Sequence, residues 1–242
     1  MERGGDSGAS WMTGTVAALL GIAIGAAGVF AYYGFRSPDR AATEQIVRDY
    51  ILANGEIIPE AMERMQARQA SASVGRYRAA LTTPFHSAWA GAENGDVVLV
   101  QFFDYACGYC RQSNADVDRL LREDPRLKVV WRELPVLGPD SEAAARVSLA
   151  AARQGRFRAF HERLFALGRP SAGVLDQALG QTGVTREAQM ADATAELARN
   201  MEMARSLGAS GTPTFIVGDR VLQGAVGYDA LREAIAAARA AS

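Results

Sequence analysis

Residues 96–110 read DVVLVQFFDYACGYC. Val97–Val100 is aliphatic without alternation, the pattern of a strand buried on both faces. It leads into Cys107 and Cys110, and residues 113–122 (SNADVDRLLR) then follow a helical period, with Val117, Leu120 and Leu121 apolar. Asp124-Pro125 stops that helix, and Leu127-KVVW starts a second strand. Strand, helix and strand at this spacing predict a βαβ unit with a parallel pair, hence an α/β fold. The two cysteines fall where the first strand gives way to the helix.

They are the only cysteines among 242 residues, so no disulfide framework is available. A CxxC can be half of a metal site, a redox pair or an accident. Zinc wants four ligands, and the other soft ligands, His86 and His161, are single and far apart in sequence. A redox pair fits best, with no metal and no cofactor beyond the pair itself. At the helix start, unpaired N–H groups and the positive end of the dipole favour a thiolate. A free thiol near pKa ~8.5 falls to roughly 3.5–7.5 in such positions. Cys107 is therefore the expected attacking sulfur. Cys110, one turn inside and less exposed, is the expected resolving one. Between them Gly108 and Tyr109 add bulk but no positive charge.

Before this region, Val16–Phe35 (VAALLGIAIGAAGVFAYYGF) has no charge. As a helix rising about 1.5 Å per residue it covers roughly 30 Å, the hydrocarbon thickness of a bilayer. Trp11 and Tyr32-Tyr33 lie near its ends, where aromatic residues favour the interface. Residues 1–37 thus read as a membrane anchor. A signal peptide cleaved near Gly25-Ala26-Ala27 is the alternative. Arg3 precedes the run while Arg36 and Arg40 follow it, so charge does not place the C-terminal part outside.

Residues 38–80 read as a helical arm. Ile46, Val47, Tyr50 and Ile51 share a helical face, Asn54-Gly55 ends that piece, and Pro59 suits the first turn of a second short helix bearing Met62 and Met65. The arm reads either as a flap on the main domain or as an oligomerisation element over residues 43–69. Residues 81–242 form the main domain. Within it, about 139–208 is alanine-rich, helically periodic and without strand signal. Strand character returns at Thr214-FIVG, turns at Gly218-Asp219, continues in Arg220-VLQG, and Tyr228–Ala240 closes as an amphipathic helix. No repeat and no GxGxxG stands out.

With 49% hydrophobic and 22% charged residues, wholesale disorder is excluded. Lys plus Arg is 26 and Asp plus Glu 27, so the net charge of −1 gives no bulk electrostatic grip on nucleic acid.

FFDYACGYC, LPVLGPDSEAAARVSLAA and GTPTF near the end resemble the DsbA-like thioredoxin-fold family, over roughly residues 85–242. The CGYC and FDY pairing is most similar to its membrane-associated ScsC-type members, and the helices at 44–70 resemble the arm that makes some of those members oligomers. The resemblance implies a thioredoxin fold with a helical insertion, and an active site in the periplasm. The chain would then sit in a bacterial inner membrane, or be soluble in the periplasm after signal cleavage. Its partners would be unfolded or misoxidised exported proteins and a membrane redox protein that recharges the site. Thr212-Pro213 would be the cis-proline loop facing the CxxC, with the Thr212 backbone free to pair with an extended substrate.

One position departs from the family. Six residues before the first cysteine, thioredoxin-like proteins usually carry a buried Asp or Glu that takes the second cysteine's proton. Here it is Gln101, nearly isosteric with Glu but unable to accept that proton. Asp104 and Glu133 flank the site; either tunes the sulfurs or is a solvated charge. His161, between Phe160 and Leu164, reads as a packing residue, His86 as a structural one, and Met190, Met201 and Met203 as core or helix-surface residues. The leading function is exchange of disulfides with exported proteins, as an oxidase or an isomerase. Other classes are a membrane-tethered chaperone or binding module using the groove without turnover, and a small-molecule thiol transferase.

Overall fold

The structure is a computed structural model that describes residues 21–31, 40–186 and 191–241. Residues 21–31 are helical (α1) and exposed. Residues 16–20 and 32–35 of the apolar run Val16–Phe35 lie outside the described residues, as does Met190. Among the described residues, no helix is long and apolar enough to cross a membrane. The chain divides into two compact units, Met1–Met62 and Glu63–Ser242.

In the first unit, α2 is Arg40–Ala53, and none of its residues is buried. Ile46, Val47, Tyr50 and Ile51 are all exposed on it. Helix α3 is Ile57–Thr82, most of which belongs to the second unit, and it is far longer than the short helix expected from Pro59, Met62 and Met65. Its later part, ARQASASVGRYRAALT, has no obvious apolar stripe, yet Val74 and Leu81 are buried against Val100, Phe102 and Ile216. Tertiary packing, not local periodicity, extends the helix.

The remaining elements are β1 (Trp89–Gly91), β2 (Val97–Phe103), α4 (Gly108–Glu123), β3 (Leu127–Glu133), α5 (Pro139–Arg153), α6 (Phe157–Leu167), α7 (Ala172–Thr182), α8 (Ala191–Ser206), β4 (Thr214–Val217), β5 (Arg220–Gln223) and α9 (Tyr228–Ala240). The sheet order is β1-β3-β2-β4-β5. β2 and β3 are parallel, as the βαβ reading requires. β4 runs antiparallel to β2, and β5 antiparallel to β4. Gly218, at φ +58°, supplies the left-handed residue of the two-residue β4–β5 turn. The three-residue edge strand β1 is too short to leave a pattern. Among the described residues, four helices, α5 to α8, lie between β3 and β4.

Alternation sorts β2 into two faces. Val97, Leu99 and Phe103 pack with Cys110 and Val117 of α4, Phe160 of α6 and Leu231 of α9. Val100 and Phe102 face Val74 and Leu81 of α3 and Met203 of α8. Both faces are covered, which explains the unbroken apolar run. Arg132, buried at the end of β3, ties the second layer together. Its Nε donates to Leu81 O (3.1 Å), and Nη2 bonds the carbonyls of Ala80 and Thr83. Nη1 reaches Glu196 Oε1 (2.6 Å) and Asn200 Oδ1 (3.0 Å) on α8. The guanidinium thus satisfies the orphan carbonyls at the end of α3 and places a positive charge where the helix dipole favours it.

Candidate active site

Cys107 is the N-cap of α4, in extended conformation, and its Sγ accepts a hydrogen bond from Cys110 N at 3.4 Å. The sulfur occupies the place that a Ser or Asp side chain usually takes at a helix start. Its thiol also donates to Thr212 O at 3.2 Å, which brings the loop before β4 against the CxxC. The Thr212–Pro213 peptide bond is cis, and Pro213 O accepts from Gly224 N at 2.8 Å. The Thr212 carbonyl thus accepts one hydrogen bond from Cys107 and keeps a second lone pair.

The two sulfurs differ in access. Cys107 is 7% exposed and Cys110 is 0% exposed. Burial pushes the Cys110 thiol well above its ordinary value, offset in part by the Asp104 backbone and the Thr212 side chain. Tyr109, between them, is fully outside at 67% exposed, and Gly108 is exposed too.

Asp104 and Glu133 are not solvated charges; both are buried. Asp104 Oδ1 accepts from Ala106 N (2.8 Å), while Oδ2 accepts from Val136 N (2.9 Å) and Leu137 N (3.0 Å). Its carbonyl takes Cys107 N at 3.1 Å. Asp104 therefore clamps the CxxC turn to the segment after β3, and leaves the side chains of Val136 and Leu137 exposed beside the site. Gln101 lies on the β2 face that carries Phe103 and Leu99, paired across the sheet with Trp131 and Phe215. Its Oε1 accepts from Trp131 Nε1 at 2.9 Å, and its buried Nε2 has no partner among the described residues.

Behind the CxxC turn lies a polar chain that no sequence motif announced. Ser148 Oγ donates to Glu133 Oε1 (2.8 Å), Tyr105 Oη meets Ser148 Oγ (2.8 Å), and Tyr105 Oη meets His161 Nδ1 (3.3 Å). His161 packs among Phe103, Trp131, Phe157 and Phe165, in keeping with a packing role, but adds this bond. Burial, only partly offset by the Ser148 bond, raises Glu133 to about 7. Burial and the Arg158 cation lower His161 to about 3. The available signal was a charged pair, Arg132-Glu133, directly after the apolar run Val129-Val130-Trp131 of β3. His86 lies apart, exposed at φ +48°. Among the described residues, no group of three or more His, Cys, Asp or Glu could hold a metal ion.

The family description DSBA-like thioredoxin domain matches residues 98–236. The chain belongs to this family of thiol–disulfide oxidoreductases. Residues 39–72 match a second description, Copper resistance protein ScsC N-terminal domain. Among solved structures, a Proteus mirabilis ScsC linker-deletion mutant is 27% identical, with a TM-score of 0.72, over 86% of this chain and 98% of that one. A periplasmic thioredoxin-like protein from Salmonella enterica serovar Typhimurium is 31% identical, with a TM-score of 0.64, over 67% and 95%. Among curated proteins, Na(+)/H(+) antiporter NhaA 3 of Salinispora tropica is 33% identical over 63% of this chain and 24% of its own length. The chain spans about a quarter of the length of the curated relatives it matches.

The two displaced titrations make stability depend on pH in opposite senses. Glu133 holds its proton when folded between about 4.5 and 7, where the unfolded chain has lost it. The folded state is therefore favoured at low pH, and that advantage is lost as pH rises through 7. His161 stays neutral when folded, so its contribution is lost as pH falls from 6.5 towards 3. Glu133→Gln removes only the first effect. In urea unfolding, the variant should gain on the natural protein by on the order of 2 kcal/mol between about pH 5 and pH 8. A difference that stays flat across this range contradicts a buried, raised Glu133.

Proposed function

We propose that the chain exchanges disulfides with exported proteins through the Cys107-Gly108-Tyr109-Cys110 pair, acting as an oxidase or an isomerase. The observation that carries this reading is Cys107 Sγ at the N-cap of α4, opposite the Thr212-Pro213 loop, with Cys110 buried beneath it. Backbone N–H groups at a helix start stabilise negative charge by about 0.3–1 kcal/mol, and up to ~2 kcal/mol in partly buried geometry.

In the reductive direction, Cys107 as thiolate attacks one sulfur of a substrate disulfide. That bond breaks, a mixed disulfide forms, and one substrate sulfur leaves as thiolate. Cys110 loses its proton and attacks Cys107 Sγ, forming the Cys107–Cys110 bond and releasing the second substrate thiolate, which takes up a proton. Oxidation is the reverse sequence. Direction is set by reduction potential and by the membrane redox partner that recharges the pair. The Thr212-Pro213 loop lies against the attacking sulfur, and the buried Asp104 holds the turn that carries it.

The apolar run Val16–Phe35 supports an inner-membrane anchor, or an export signal, with the catalytic domain in the periplasm. The ScsC N-terminal match over 39–72, with the exposed Ile46, Val47, Tyr50 and Ile51 of α2, supports self-association through residues 43–69.

Cys110→Ser should accumulate mixed disulfides with periplasmic proteins on non-reducing gels, while Cys107→Ser accumulates none. Trapping by the Cys107 variant alone reverses the roles, and trapping by neither removes the proposed activity.

Gln101→Glu should speed release of substrate from the mixed disulfide near neutral pH, because a carboxylate can take the Cys110 proton that an amide cannot. It should also move the alkylation profile of Cys107 to higher pH, by adding buried negative charge. Unchanged release and an unchanged profile make Gln101 a core amide only.

For the arm, a protein beginning at residue 38 should be oligomeric by light scattering. Ile46→Asp with Tyr50→Asp should render it monomeric while it still reduces insulin. A monomer with the arm intact contradicts the assembly.

A further inference from the structure

The polar chain behind the CxxC turn has a property that follows from counting its protons. Glu133, Ser148, Tyr105 and His161 are each at most 2% exposed, and they are joined end to end by contacts of 2.8, 2.8 and 3.3 Å. Each hydroxyl has one proton to donate, and a neutral imidazole has one N–H. An ionised Glu133 can only accept, so Ser148 must donate to it. Ser148 then has nothing for Tyr105, so Tyr105 donates to Ser148. Tyr105 in turn has nothing for His161, so the imidazole must carry its proton on Nδ1. Every step is forced.

A neutral Glu133 reverses the order. Its other oxygen, Oε2, is buried with no partner among the described residues, so a proton there has nothing to bond. A proton on Oε1 donates to Ser148, Ser148 donates to Tyr105, and Tyr105 donates to Nδ1 of the ring. The imidazole proton then sits on Nε2. Nδ1 is taken by Tyr105, which leaves Nε2 as the atom His161 offers to the pocket it lines. That pocket has a volume of about 330 Å³ and is shared with Arg111, Asn114 and Asp118 of α4.

We propose that these four residues form a proton-ordered switch, through which the ionisation of Glu133 sets the tautomer of His161 and turns its Nε2 from donor to acceptor in the pocket beside the CxxC helix. The step balances without an imidazolium. A proton from solvent water joins Nε2, the Nδ1 proton passes to Tyr105, the Tyr105 proton to Ser148, and the Ser148 proton to Glu133 Oε1. One proton is taken up, and the carboxylate becomes an acid. This goes beyond thiol exchange and does not depend on the roles given to the cysteines.

The groups around the chain leave it free to act. Near Glu133, the Arg132 cation is held by Glu196 and the α3 carbonyls, Asn200 bonds the Glu133 backbone carbonyl, and Glu196 adds a negative charge that opposes ionisation. Near His161, Arg158 is paired with Asp118 and Glu162 and opposes a charged ring. Arg111 of α4 lines the same pocket. The titration of Glu133 near neutral pH places the switch in a range that a periplasmic protein meets.

The chain has two histidines, so ring-nitrogen NMR on the full-length protein, with His86→Gln for assignment, reads His161 directly. As pH rises through the Glu133 midpoint, Nε2 should change from a proton-bearing to a bare nitrogen shift, and Nδ1 the reverse. Infrared absorption of the protonated carboxyl group supplies that midpoint. Glu133→Gln should hold one tautomer at every pH. Ser148→Ala cuts the chain and leaves Tyr105 free to donate to Nδ1, so it should hold the Nε2–H form while Glu133 still titrates. A His161 tautomer that stays constant while Glu133 titrates overturns the proposal. So does an imidazolium that forms near neutral pH.

Discussion

The hydrogen bond from Cys110 N to Cys107 Sγ is the contact on which the site depends. It makes a sulfur the cap of a helix, so the group that would react is the group that finishes the fold locally. The cap fixes Cys107 where β2 ends and α4 begins, and the contact with Thr212 O joins it to the strand pair β4–β5. Cys110 follows one turn later and is driven inside by the helical period. The difference in access between the two sulfurs is a consequence of helix geometry rather than of any special residue.

The surroundings hold that junction rigid by different means on each side. Asp104 uses a buried carboxylate to collect three backbone N–H groups from two segments. Three charge-assisted bonds of this kind, each worth about 1.5–3 kcal/mol, offset the desolvation of one carboxylate. On the opposite sheet face, Arg132 does the converse and collects carbonyls from the end of α3. Both residues sit at the C-terminal ends of the parallel strands, where the apolar run gives out and chain segments converge. There the backbone groups of irregular segments need partners that the sheet cannot supply.

The central βαβ unit, the hairpin after Gly218 and the closing helix were legible because each rests on local pattern. The unbroken Val97–Val100 run reported burial on both faces, and it was correct. The length of α3 was not legible, because its packing residues are spread thinly through an Ala-, Ser- and Arg-rich stretch. β1 escaped because three residues at an edge carry no period. Within the site, Cys107, Cys110 and the Thr212-Pro213 loop were named from spacing and resemblance, and the structure brings them together. Asp104 and Glu133 were read with solvated charge as one alternative, since a single acidic letter in a sequence does not reveal the backbone donors or the hydroxyl that meet it. The link from Glu133 through Ser148 and Tyr105 to His161 joins residues 15, 43 and 56 positions apart, each ordinary in isolation.

The central claim is that Cys107 at the helix cap is the reactive sulfur and Cys110 is sheltered by burial. The most direct measurement is limited alkylation of the reduced protein with iodoacetamide, followed by peptide mass spectrometry with and without denaturant. A single label on Cys107 is expected in the folded protein, with Cys110 labelled only after unfolding. Equal labelling of both cysteines in the folded state, or prior labelling of Cys110, contradicts it.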